Sequence, residues 1–325
     1  MEALMILSLF LRAAILLLLL CPAAFAKGLF QTYTTADGLI ANSVKSIFID
    51  NQGNKWFGCK DNGASMFDGK KWTSYTPGDG SGFAGSPVRS ITQDSKGNLW
   101  FATGYGLSRF DGKQWKTFTV DDGLIDNNTF HVAENPPGTY WIATHEGLSK
   151  FDGSTWTSYT TANGLLDNYI FWIYIDPQGN FWHATKAAGV VKYGKGKTVA
   201  YNKDNGLKVD EARIIVPDRQ GNLWVGTRFG GVSMFDGKNW TTYTTEDGLI
   251  DNRVWGIAVD SLNNKWFATF REGVSMFDGK KWFSYTEKDG LAFRVCSSLA
   301  VDRDGSVWIA TEEGVSVLKP ANFKR

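Results

Sequence analysis

The stretch Asp50-Asn51-Gln52-Gly53-Asn54-Lys55-Trp56-Phe57-Gly58-Cys59, continued by Gly63-Ala64-Ser65-Met66-Phe67-Asp68-Gly69-Lys70-Lys71-Trp72-Thr73-Ser74-Tyr75-Thr76, decides the fold. Asp50 and Gly53 read as a tight hairpin turn, with Asp opening it and Gly supplying positive φ. A Trp-bearing strand follows, then a short loop, then Gly63 to Phe67, an Asp68-Gly69 hairpin and a last strand from Trp72 to Thr76. Upstream, Val44 to Ile49 reads as the first strand. Four short strands joined by turns form one antiparallel sheet.

That unit recurs. Its Trp returns as Trp56, Trp100, Trp141, Trp182, Trp224, Trp266 and Trp308, at spacings of 44, 41, 41, 42, 42 and 42. A fixed period of this length marks a repeat architecture. Seven sheets arrayed radially predict an all-β, seven-bladed β-propeller over residues 27–325. The seventh unit stops at Gly314-Val315-Ser316-Val317-Leu318 without a fourth strand, and a matching piece, Phe30-Gln31-Thr32-Tyr33-Thr34, stands at the other end. The N-terminal strand is therefore expected to complete the last blade, which removes an open edge.

Residues 1–26 read as a cleavable signal peptide. Ala13 to Leu20 is apolar, Pro22 breaks the run and Ala24-Phe25-Ala26 is a small-x-small site. An uncleaved anchor and a lipoprotein processed at Cys21 are the open alternatives. No other hydrophobic run approaches spanning length, so no membrane insertion is expected after cleavage and the location is periplasmic or secreted. The net charge of +1 offers no field for nucleic acid.

The string from Asn42-Ser43-Val44 through Gly53-Asn54-Lys55-Trp56-Phe57-Gly58 to Phe67-Asp68-Gly69 resembles the two-component regulator propeller repeat. The resemblance implies the periplasmic sensor part of a bacterial histidine kinase system, often with two propellers in tandem, and in many members glycan recognition. One propeller is expected here and, read to Arg325, no kinase or output domain. The implied partners are a small molecule or oligosaccharide and a separately encoded membrane sensor kinase or other protein.

The repeats act as an internal alignment: positions alike in every blade serve packing, and positions that vary are free for function. Twelve of the 14 Trp are blade positions; Trp172 and Trp255 are not. Six residues past the Gly-Leu turn stand Lys45, Phe130, Phe171, Arg213, Trp255 and Ser297, with Arg89 as the equivalent after the Gly-rich loop Gly78 to Gly85. These should ring one mouth of the central channel. Loops after the Trp strand add Tyr105, His145, Arg228 and Arg271 on the same face. Aromatic platforms with forked Arg donors suit a sugar or a small anion. Solvated loop tips and an aromatic plug are the plainer account of the same residues.

Enzyme signals are thin, and no cofactor is expected. His145 and Glu146 could form an acid/base pair, as in a lyase or hydrolase similar to the seven-bladed streptogramin lyases, which use His and Glu with a divalent metal; His131 belongs to the same unit. His183 takes a position held elsewhere by Phe, Ile or Val, which predicts a buried structural residue. The Asp-x-x-Gly segments read as turns, not calcium loops. Cys59 and Cys296 are either a disulfide across the ring closure or two buried thiols.

Overall fold

The computed structural model describes residues 28–78, 80–194 and 196–324. The predicted leader, 1–26, lies outside them. The described residues form seven four-stranded antiparallel sheets, each running from an inner to an outer strand in chain order except the last. Blade 1 is Val44–Ile49, Lys55–Cys59, Ala64–Phe67 and Trp72–Tyr75. Blade 7 is Cys296–Val301, Val307–Thr311 and Gly314–Leu318, completed by Phe30–Tyr33. Phe30 pairs with Leu318 and Tyr33 with Val315, so the N-terminal strand closes the ring as expected.

Strand alternation explains how one sheet feeds two cores. Trp56 points into the layer shared with blade 2, against Val88, Ile91 and Phe101, while its neighbour Phe57 points into the layer shared with blade 7, against Trp308 and Ala310. Seven such clusters sit between the seven blades. Close packing requires a small residue after Phe57: a Cβ at Gly58 would stand 2.5 Å from Val88 Cγ1 of the next blade.

The turn aspartates do more than shape hairpins. Asp94 Oδ1 accepts from the backbone N–H of Lys96 and Asn98, and Oδ2 accepts from Asn98 Nδ2 (2.8 Å), Trp100 Nε1 (2.9 Å) and Tyr140 Oη (2.9 Å). Asp50, Asp176, Asp218 and Asp260 hold their own Trp in the same way. The carboxylates are thus consumed by their turns. Where the second strand opens with a polar residue, that residue reaches back to the preceding blade, as Tyr140 does to Asp94 and Lys55 to Asp302 at 2.7 Å.

Phe83, in the Gly-rich loop before blade 2, is buried on Trp115 (4.6 Å) and fills the place of the turn leucine. The disulfide alternative is overturned: Cys59 and Cys296 are free and lie in different interblade cores, on opposite faces of blade 7. His183 is buried among Phe181 and Tyr193, and burial pushes its pKa down to about 3.

Candidate functional site

Each inner strand carries a β-bulge at its second residue. In blade 1, Val44 pairs with Cys59 and Ser46 with Gly58, and Lys45 between them has no partner. The same interruption leaves out Arg89, Phe130, Phe171, Arg213, Trp255 and Ser297 in the other six blades. A bulge re-aims the side chain it carries. Here all seven line one cavity of about 350 Å³, together with Lys60, Pro87 and Trp172. That volume lies within the range of small-molecule sites, about 300–1,000 Å³.

The cavity wall is built of stacked cations and rings. The Arg213 guanidinium lies 4.0 Å from the Phe171 ring centroid and 5.7 Å from that of Trp255. Arg89 lies 4.6 Å from that of Phe130. Burial lowers both guanidinium pKa values, and for Arg213 the neighbouring Glu211 opposes it; starting so far above neutrality, both remain charged. Lys45 pairs with Glu312 at 3.2 Å. Glu211 bridges Arg213 and Arg228. No Asp or Glu is among the cavity's lining residues, which include four cations.

Seven of the eleven residues predicted from sequence, Lys45, Arg89, Phe130, Phe171, Trp172, Arg213 and Trp255, line this cavity. Tyr105, His145, Arg228 and Arg271 do not. Tyr105 is 65% exposed. Arg228 lies over Phe229, itself 59% exposed, on the rim. His145 is hydrogen-bonded to Glu146 at 2.8 Å in an exposed loop, with its ring edge on Tyr169 at 4.3 Å. The two unusual Trp residues do not share a level. Trp255 is a bulge residue stacked on Phe270 at 4.1 Å, whereas Trp172 pairs with Ala184 one register further in and stacks on His131 at 3.6 Å.

His131 is therefore separated in role from His145. Its Nδ1 accepts the Ile173 N–H at 3.4 Å, which leaves the proton on Nε2, and burial pushes its pKa down to about 3. Among the described residues no cluster of three or more His, Cys, Asp or Glu could hold a metal ion.

Sequence reasoning missed Tyr169 and Glu211. Tyr169 packs on Phe130 (5.2 Å) and Phe171 (4.6 Å) beneath Lys186. Both precede their inner strand by one residue, at a place held elsewhere by Ser43, Pro87, Asn128, Arg253 and Val295. The repeat alignment, moved two positions back from the bulge, identifies them.

A closed seven-bladed propeller with one aromatic and basic mouth defines the class. Residues 82–105, 164–186 and 206–229 match the profile described as two component regulator propeller, so the chain carries that repeat. Its fold is shared with an extracellular domain assigned to the hybrid two component system BT3049 of B. thetaiotaomicron (TM-score 0.78, 20% identity, 90% of this chain and 42% of that one). It is also shared with an extracellular domain assigned to the one component system BT4673 of the same organism (TM-score 0.71, 23% identity, 87% and 40%). The chain spans less than half the length of these two domains. Virginiamycin B lyase from Staphylococcus aureus, solved with quinupristin, superposes with a TM-score of 0.70 at 16% identity, over 89% of this chain and 98% of the lyase. No curated protein sequence matches the chain. No helix among the described residues is long and apolar enough to cross a membrane.

Proposed function

We propose that this propeller is a non-catalytic binding protein of the periplasm or cell exterior that takes a glycan or small anionic molecule at its mouth. One observation carries the reading: the bulge residue of every inner strand converges on one cavity lined mainly by rings and cations, with no carboxylate. Rings stack on sugar faces and Arg forks donate to oxyanions, so the lining recognises without needing an acid or base to move a proton. The extracellular sensor domains that share the fold support the location and the sensing role, with a membrane sensor kinase as the protein that would read the bound state.

The test is a thermal-shift screen of neutral sugars, uronic acids and inorganic anions. A ligand at 100 times its Kd adds about 2.7 kcal/mol to the folded state. Stabilisation that disappears in Trp255→Ala supports the reading. A response that survives Trp255→Ala and Arg213→Met together, or no response to any compound, overturns it. If the stabilising compound is instead consumed, a lyase replaces the binding reading, and loss of turnover in His145→Ala would assign the chemistry to that residue and Glu146.

A further inference from the structure

The channel beneath the mouth is not symmetric. One register inward from the bulges, His131, Trp172 and Ile214 fill the side made by blades 3 to 5. On the side made by blades 6, 7, 1 and 2, Gly256, Ser298, Ser46 and Ser90 leave a crescent of about 230 Å³. Gly256 is small by necessity, since a Cβ there would meet the Ser298 backbone at 3.0 Å. The crescent opens into the mouth, because Lys45, Arg89, Trp255 and Ser297 line both spaces.

Charge and hydrogen bonding in the crescent point one way. No Asp or Glu lines it. Arg89 sits at the junction and spends one nitrogen on two neutral acceptors, the carbonyls of Thr103 (3.1 Å) and Thr129 (2.9 Å). It makes no ion pair among the described residues: the Asp126 carboxylate favours its charge only from beyond ion-pair distance, and a largely buried cation without a paired carboxylate is costly. Ser90 is 5% and Ser297 8% exposed, yet the hydroxyl of each has no partner among the described residues, nor has Trp255 Nε1. Ser90, Ser297, Trp255 and His131 all line this space, so their uncommitted hydroxyl and ring N–H groups lie within its wall.

We propose that the crescent is a second compartment of the binding site and takes an oxyanion, a carboxylate or sulfate, carried by a ligand whose ring rests on the mouth. The proposal rests on the binding reading above and adds a rule to it: acidic ligands are selected by insertion, not by surface attraction. Arg89 supplies the charge, and the serine hydroxyls and ring N–H groups complete the oxyanion's hydrogen bonds. The lysine on the same side, Lys45, already has Glu312 as its partner, which leaves Arg89 as the cation an inserted anion would neutralise.

The probes are phenyl β-glucopyranoside and phenyl β-glucuronide, which differ at one carbon, measured against the full chain by titration calorimetry. The glucuronide is expected to bind at least about tenfold more tightly, with a preference that persists in 0.5 M salt because the pair is shielded from solvent. Arg89→Met should bring the two affinities within about twofold, and Ser90→Val, which narrows the crescent while keeping the charge, should reduce the ratio as well. Near-ultraviolet circular dichroism would establish that each variant is folded. Equal affinities for the two probes, or a preference that survives both variants, overturns the proposal. Glucoside binding that is lost in Phe130→Ala but shows no acid preference would overturn the second compartment while leaving the mouth reading intact. Failure of both probes to bind overturns the second compartment, while the mouth reading is decided by the wider screen of sugars and anions.

Discussion

Replacing Asp94 with Ala should damage the fold more than the same loss at Asp50, and the hydrogen-bond network says by how much. The carboxylate serves its own hairpin, as Asp50 does, and additionally accepts a bond from Tyr140 of blade 3. Removing it strands two buried donors: Trp100 Nε1 on a residue 1% exposed and Tyr140 Oη on a residue 4% exposed. Each unsatisfied buried donor costs about 1–3 kcal/mol, so Asp94→Ala should cost roughly 2–6 kcal/mol before the turn itself is counted. Asp50→Ala strands only the Trp56 indole and should cost about 1–3 kcal/mol on the same scale. The turn contribution is common to both and cancels in the difference, which isolates the interblade bond. Equilibrium urea denaturation followed by tryptophan fluorescence measures both. The coupling is checked by Tyr140→Phe, which removes the stranded hydroxyl and should recover about 1 kcal/mol or more in the Asp94→Ala background while destabilising the native protein. Asp94→Ala no worse than Asp50→Ala, together with a coupling near zero, would refute the argument that the turn aspartates stitch blades together.

Three further outcomes follow from the same structure. Burial alone would raise the pKa of Asp94, Asp176 and Asp218, but hydrogen bonds from their Asn and Trp partners more than reverse it and hold all three below the ordinary carboxylate value. A depressed folded pKa gives stability that is complete above the unfolded value of about 3.9 and is lost as pH falls through the folded values; melting temperature should therefore hold down to about pH 4.5 and drop below it, with Asp94→Asn shrinking that drop. Cys59 is pushed up to about 12 by burial and Cys296 is also raised, so Ellman's reagent at pH 8 should label neither in the folded protein and both after denaturation. Tyr33→Ala removes a ring stacked on Trp308 at 5.7 Å and packed edge-on to Trp72, and should cost roughly 2–4 kcal/mol, read as earlier exposure of the closing strand in hydrogen exchange.

The scaffold was legible because each of its decisions is local and made seven times. The hairpin Asp and Gly, the strand Trp and the Gly-Leu turn each follow from backbone geometry or burial, and repetition separates them from chance. Even the closure could be read, since a missing strand at one end and a spare one at the other admit one arrangement. Exceptions to the repeat were harder. Phe83 does the work of a turn leucine inside a loop of different length, so no spacing marks it. The depth of Trp172 depends on the bulge, which inserts one residue and changes the face of everything after it. The loop candidates Tyr105, His145, Arg228 and Arg271 vary as strongly as the mouth residues, but variation reports freedom from packing without reporting direction. Their side chains stay solvent-accessible outside the cavity, a placement that spacing along the chain does not encode.

The bulge explains why this fold can carry a specific site at low cost to its stability. Lys45, Phe130, Arg213 and Ser297 differ in charge, size and polarity, yet each occupies the same unpaired place at the start of an inner strand. A paired residue there would have to satisfy a sheet neighbour and an interblade core at once, as Val44 does one position earlier, paired with Cys59 and with no exposed surface. The unpaired residue answers only to the cavity. Seven such positions, set around one axis by a scaffold whose stability resides in the Trp layers and turn aspartates, form a lining whose chemistry can change residue by residue while the ring stays closed. That separation predicts where related propellers with different ligands should differ: at the bulges and the residue two positions before each, which here include Tyr169 and Glu211, far more than in the loops around them.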